Sequence, residues 1–252
     1  MNDNFTDIYL NYDKALIYTR YNNPEEHSHL AAHIILSFEE PFNIIVDGKS
    51  YTEYGICIPS NYMHKIVNYK KPLLVFLYEE TTGIAKQIKN VKATSKAFSN
   101  KIFQMYKEMA EQTEKIDESF IKLNNFVTKK LNLKVNDFKI TDERIIGSMK
   151  YIRNNLGYDI KIKDIATMQH LSESRFSHLF REQTGIAFAS YVKISRLIRA
   201  YYDIFSGENI TTSAINAGFS SPSHFAMTSK EFFGINAMEF HNKVKVHYIN
   251  TK

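Results

Sequence analysis

Four histidines carry the side chains of this chain best suited to coordination chemistry. His27, His29 and His33 stand in the stretch HSHLAAH, and His64 follows in GICIPSNYMHKIVN. On an extended strand residues 27, 29 and 33 share one face. Imidazole nitrogens gathered on one face suit a divalent ion such as Zn, Fe or Ni. The same side chains also suit two other roles, as hydrogen-bonded structural groups or as the polar lining of a small-molecule pocket together with Tyr51, Tyr54 or Tyr62. Histidines with no partners to orient them do not decide for a metal. The expectation is therefore an effector site at His27, His29, His33, Tyr51, Tyr54 and His64, with no metal and no cofactor. Further chemistry is hard to find: there is no Ser/His/Asp spacing, no Gly-rich phosphate loop and no nucleophilic context around Cys57, so no catalysis is expected.

A second set of polar side chains is repeated. LSESRFSHLFREQTGI and SSPSHFAMTSKEFFGI share a skeleton in which Ser172, Phe176, Arg181, Glu182, Gly185, Ile186 and Tyr191 recur 49 residues on as Ser221, Phe225, Lys230, Glu231, Gly234, Ile235 and Phe240. Upstream, Ile162 and Ala166 recur as Ile210 and Ala214 at an offset of 48, so the second copy has one extra residue in its turn. Two copies are too few for a stacked solenoid. They describe a duplicated functional unit.

Each copy has the anatomy of a helix-turn-helix. In the first, Ile162, Ile165, Ala166 and Met168 lie on a short helix, Gln169 to Leu171 make a turn, and Ser172 is placed to cap the next helix. Phe176, Leu179 and Phe180 form one face of that helix, and Ser174, Ser177, His178 and Arg181 form the opposite one. A short amphipathic helix with an exposed hydrogen-bonding face fits a DNA major groove. In the second copy Ser221 caps, Pro222 takes the first helical position, Phe225, Phe232 and Phe233 face inward, and Ser223, Met227 and Lys230 face out. Between the copies, Tyr191, Ile194, Ile198, Tyr201 and Phe205 follow helical spacing and Gly207 stops the run. One long helix thus joins the two units.

The elements that must position these residues divide the 252-residue chain in two. From Tyr9 to about Tyr78, short runs of Ile, Val, Tyr and Phe are broken by turns, which predicts a small barrel or sandwich. Asp47-Gly48 is a two-residue hairpin turn within FNIIVDGKSYTEY. After Gly83 the period lengthens: Phe98, Ile102, Met105 and Met109, then Ile116, Phe120, Leu123, Val127 and Leu131, predict two helices with a turn near Gln112 to Glu114. Their apolar stripes cap the barrel, or cap it and also pair with another subunit. Residues 132–140 read as a linker. The net charge of +5 is uneven: 14 Lys and Arg against 10 Asp and Glu from residue 141 onward give +4, and 18 against 17 before it give +1. The basic excess accompanies the repeat and agrees with a nucleic-acid partner. A single cysteine precludes an intramolecular disulfide, and the start lacks a basic then apolar leader, so a cytoplasmic location is expected.

The order Ile165-Ala166, Ser172, Phe176, Phe180, Gly185, Tyr191, Arg196, Ala200, Ala214 and GFSSPSHF resembles the DNA-binding domain of AraC/XylS-type transcription regulators, over roughly residues 142 to 245. The N-terminal half resembles the cupin-like barrel that accompanies that domain, through its histidines with Gly55, Pro59, His64 and Asn68. The resemblance implies an α+β chain: a cupin-like β-barrel sensor over 1–90, a helical pair for capping or dimerisation over 91–135, a linker over 136–141, and an all-α domain of seven helices with two helix-turn-helix motifs over 142–245. It further implies a homodimeric regulator of bacterial promoter DNA, more often an activator that would contact RNA polymerase, tuned by a small-molecule effector. Base-facing positions fall on Ser174, Ser177 and His178, then on Pro222, Ser223 and Met227, with Ser172, Arg175, Arg181, Ser221 and Lys230 completing the DNA-binding set. Ser213, Ser229 and Ala237 depart from the pattern, and His33 stands where enzymatic cupins carry a carboxylate. The alternative is a metal-dependent cupin enzyme with a helical C-terminal extension.

Overall fold

The hairpin anticipated at Asp47-Gly48 shows how locally the N-terminal half is specified. Both residues take positive φ, 46° and 75°, and the turn joins β4 (Phe42–Val46) to β5 (Lys49–Glu53) in antiparallel register, Val46 opposite Lys49. Two adjacent positive φ values match the right-handed twist of the flanking strands. The computed structural model of the chain describes residues 6–20, 26–135, 140–233 and 244–249. Its contacts divide the chain into two units, Met1–Val135 with Lys230–Thr251, and Asn136–Ser229.

In the first unit β1 (Thr6–Leu10), β2 (Lys14–Thr19), β3 (Ala32–Leu36), β6 (Gly55–Ile58), β8 (Leu73–Tyr78) and β9 (Lys92–Thr94) join β10 (Val244–Tyr248) in a seven-stranded sheet of order β10-β1-β2-β8-β3-β6-β9. A three-stranded sheet, β5-β4-β7, contains β7 (His64–Val67). Strands β1, β3 and β8 are buried at every position. The cause is a second apolar layer: α1 (Lys96–Glu111) and α2 (Ile116–Lys130) lay Ile102, Tyr106, Met109, Phe120, Leu123 and Val127 against Tyr9, Leu16, Ile34, Phe76 and Tyr78. Each such side chain, fully buried, contributes roughly 1.5–3 kcal/mol. The helical stripes therefore pack on the sheet within the chain.

β10 was not foreseen. It pairs parallel to β1, Thr6 opposite Val244 and Leu10 opposite Tyr248, so a C-terminal segment completes the N-terminal sheet. A buried polar hub fixes it. Asp7 accepts hydrogen bonds from the hydroxyls of Tyr9 at 2.6 Å and Tyr106 at 3.1 Å and lies 2.9 Å from His247 Nε2, and the His247 ring stacks on Tyr9. Burial and the Asp7 charge push both tyrosine hydroxyls far above their ordinary pKa, so they stay donors.

The second unit is helical: α3 (Glu143–Asn154), α4 (Ile162–Met168), α5 (Glu173–Thr184), α6 (Phe188–Phe205), α7 (Ile210–Asn216) and the start of α8 (Pro222–Phe233). A seventh helix would fall within 234–243, outside the described residues, as do Gly234, Ile235, Ala237 and Phe240. Among the described residues no helix is long and apolar enough to cross a membrane.

Candidate functional site

The two halves of the repeat fold the same way down to individual hydrogen bonds. In the first, α4 ends where Leu171 N–H donates to the Ala166 carbonyl at 2.9 Å; in the second, α7 ends where Phe219 N–H donates to the Ala214 carbonyl at 3.0 Å. This six-to-one bond requires a left-handed residue just before the donor. His170 at φ 56° and Gly218 at φ 88° supply it. Ser172 Oγ then accepts from Arg175 N–H at 3.3 Å to open α5, and Ser221 Oγ accepts from His224 N–H at 3.0 Å to open α8. Each cap satisfies one orphan donor of its helix.

Burial separates the two faces as the spacing requires. Phe176, Leu179, Phe180, Phe225 and Phe232 are buried, whereas Ser172, Ser174, Arg175, Ser177, His178 and Arg181 on the first helix and Ser223, Met227 and Lys230 on the second are exposed. Ser221 and Pro222 are half-buried at the second helix start. The side chain of Phe233 lies outside the described residues. Between the units α6 buries Tyr191, Ile194 and Tyr201. At 18 residues it measures about 27 Å. A concave surface of about 520 Å³ is lined by, among others, Ser177 of α5, Lys193 and Arg196 of α6, and His224 and Thr228 of α8. Spacing on the recognition helices did not reveal Lys193, Arg196 or His224 as members of a shared face; the three-residue step of Lys193, Arg196 and Arg199 in YVKISRLIRA was the available signal. Arg196 also donates to the Tyr158 carbonyl at 3.0 Å, and Arg199 pairs with Asp203 at 2.9 Å.

The histidines converge, but by a route other than the strand anticipated. Only His33 lies on β3; His27 and His29 precede it in irregular chain. His27 is brought in by a bridge to His64, with His64 N–H donating to the His27 carbonyl at 2.8 Å and the reverse bond at 3.1 Å. The neighbours of His33, Ala32 and Ile34, belong to the core under the helices, so alternation aims His33 into the opposite face of the sheet. The ring of His64 lies 4.5 Å from that of His27, 5.2 Å from His29 and 4.9 Å from His33, centre to centre. His29 and His33 touch through their Nε2 atoms, while the Nδ1 of each is buried with no hydrogen-bond partner among the described residues. Burial drives the pKa of His29 and His33 well below its ordinary value and that of His64 down to about 4, so these rings are neutral at pH 7. Of the tyrosines, Tyr51 sits on β5 opposite Ile44 and Tyr54 lies under Lys96 Nζ at 4.9 Å; among the described contacts neither joins the histidines. The Tyr62 carbonyl does, accepting from His64 Nδ1 at 2.8 Å.

Residues 165–243 match the family described as a helix-turn-helix domain. That match takes in both helix-turn-helix units. Over 104 residues the chain is 26% identical to the regulatory protein PocR of Salmonella typhimurium, covering 41% of this chain and 34% of that protein. It is 30% identical over 94 residues to an uncharacterized HTH-type transcriptional regulator of Staphylococcus aureus, covering 37% of this chain and 13% of the relative. The chain thus spans about a third and about an eighth of these curated relatives. A solved structure of apo ToxT from Vibrio cholerae, in a lysine-to-alanine variant, is 12% identical with a TM-score of 0.50, and the match covers 91% of this chain and 97% of that one. That likeness extends the α+β fold over nearly the whole chain.

Two departures from the AraC pattern have different local outcomes. Ser229 is buried and its hydroxyl meets that of Tyr201 at 2.5 Å, so the polar group is satisfied. Ser213 is also fully buried, yet its Oγ has no partner among the described residues. Such a group carries a desolvation cost with nothing to offset it.

Proposed function

We propose that the chain is a sequence-specific DNA-binding transcription regulator whose two recognition helices, α5 and α8, enter adjacent major-groove segments. One observation carries the reading: the repeat builds the same Ser-capped helix twice, each with an exposed polar face, at the two ends of one connecting helix. Both faces on one side of B-DNA meet groove segments about 34 Å apart. The first unit supplies base readout through Ser174, Ser177 and His178, flanked by Ser172, Arg175 and Arg181. The second presents Pro222, Ser223 and Met227, which lack bidentate donors, and so contributes mainly phosphate contact through Lys230 and the helix start at Ser221. Lys193 and Arg196 face the phosphate backbone that crosses between the two segments.

In this reading residues 1–90 sense, 91–135 cap and support dimerisation, 136–141 link, and 142–245 bind DNA. An effector bound by His27, His29, His33, Tyr51, Tyr54 and His64 tunes the response. Activation through RNA polymerase and a homodimer accompany the AraC resemblance; the exposed side of α2, where Ile121 is 37% exposed, is the surface offered for pairing. Footprinting of the full chain on the DNA upstream of its own coding sequence, at two salt concentrations, tests the core of the proposal. Two protected segments one turn apart are expected. A single segment would reduce the second unit to a scaffold, and salt-independent or absent protection would overturn the reading.

A further inference from the structure

The histidine cluster is better explained by a ligand than by its own hydrogen bonds. Buried side-chain nitrogens are in the large majority hydrogen-bonded, but the Nδ1 atoms of His29 and His33 have no partner among the described residues, and both side chains are buried. Their Nε2 atoms crowd each other, and the His29 ring lies near those of His27 and His64 and the His33 ring near that of His64. Ligand-capable nitrogens of His27, His29 and His64 lie within 4.8 Å of one another. A tetrahedral ion with nitrogens at 2.0–2.1 Å holds them about 3.3 Å apart, a contraction within reach of small side-chain rotations. His64 is already oriented: the Tyr62 carbonyl can only accept, so Nδ1 carries the proton and Nε2 presents a lone pair.

From this geometry we infer that the barrel holds a divalent first-row transition-metal ion on His27, His29 and His64, with His33 as the fourth imidazole beside it. The donor set is all nitrogen, which favours zinc, nickel, cobalt, copper or iron and disfavours the oxygen-seeking calcium and magnesium. The ion would pin the irregular segment at His27 and His29 to β7 through His64, the two pieces of chain already joined by the backbone bridge. This names the ligand of the sensing site and rests on the regulator reading only for its regulatory consequence.

Metal content is the direct test. The full chain is stripped with a chelator, dialysed separately against Zn(II), Ni(II) and Co(II), and assayed for bound metal and, with Co(II), for visible absorption. About one ion per chain is expected, with the Co(II) band lost in His64→Ala and His29→Ala and kept in His178→Ala. His27→Ala, at a half-buried position, serves where the buried variants fail to fold, and should weaken binding at least tenfold with an unchanged melting profile. Less than a tenth of an ion per chain for all three metals, or a Co(II) spectrum insensitive to His27→Ala, overturns the assignment. Operator affinity is measured in parallel on loaded and stripped protein. Stoichiometric metal with equal DNA affinity would keep the site and overturn only its regulatory role.

Discussion

Replacing Gly218 by alanine probes the link between one backbone angle and the second recognition helix. Gly218 holds φ at 88°, and a Cβ there would stand 2.0 Å from the Leu156 carbonyl oxygen and 2.9 Å from Arg196 Nε. The left-handed conformation alone costs an alanine roughly 1–2 kcal/mol. Moving backbone by more than an ångström to clear Leu156 adds roughly 1–3 kcal/mol. The combined destabilisation of about 2–5 kcal/mol should lower Tm by about 4–20 °C on the scale of a chain this size. The control is His170→Gly at the matching position of the first turn, where φ is 56° and the side chain is exposed. It relieves left-handed strain, so a change within about 1 kcal/mol is expected. Thermal melting followed by circular dichroism measures both. Footprinting then separates the halves: Gly218→Ala should lose the segment read by α8 and retain the one read by α5. A Gly218→Ala protein melting within about 2 °C of the parent would refute the close-approach argument, and one that keeps both protected segments would show that the turn does not set the second helix.

Other outcomes follow from the same geometry. Arg181→Ala should weaken binding to all sequences and reduce the salt slope by about one, whereas His178→Ala should change preference at one base pair; selection of preferred operators for each variant would expose an exchange of these roles. Ser213→Ala removes a buried hydroxyl that has no partner among the described residues and should stabilise the chain by about 1 kcal/mol; a lower urea midpoint would contradict it. Stability of the metal-stripped chain should fall between pH 6.5 and 4. Burial lowers the folded pKa of His64 to about 4, so the unfolded chain binds more protons in that window and stability rises with pH across it, by about 3 kcal/mol for His64 alone. Urea titrations at pH 7 and pH 4.5 with equal midpoints would show that these rings are not buried neutral.

The parts of this protein legible in its sequence are those whose cause lies within a few residues. A left-handed pair at Asp47-Gly48, serine caps at Ser172 and Ser221, and apolar steps of three and four along α1, α2 and α6 are settled by local torsions and by which side of a helix meets water. The repeat adds to this because two copies of one pattern constrain each other, and the exposed polar faces of α5 and α8 follow from the buried phenylalanines opposite them. The histidines show the boundary. Their chemistry is visible in HSHLAAH, but the strand geometry assumed for His27 and His29 is replaced by irregular chain, and it is the bridge to His64 that gathers the rings. The parallel pairing of β10 with β1 joins residues more than 230 positions apart, and the surface formed by Ser177, Lys193, Arg196 and His224 joins three helices. Neither is written in a local period. They come from the burial of apolar faces and backbone hydrogen bonds that only the assembled chain can satisfy together.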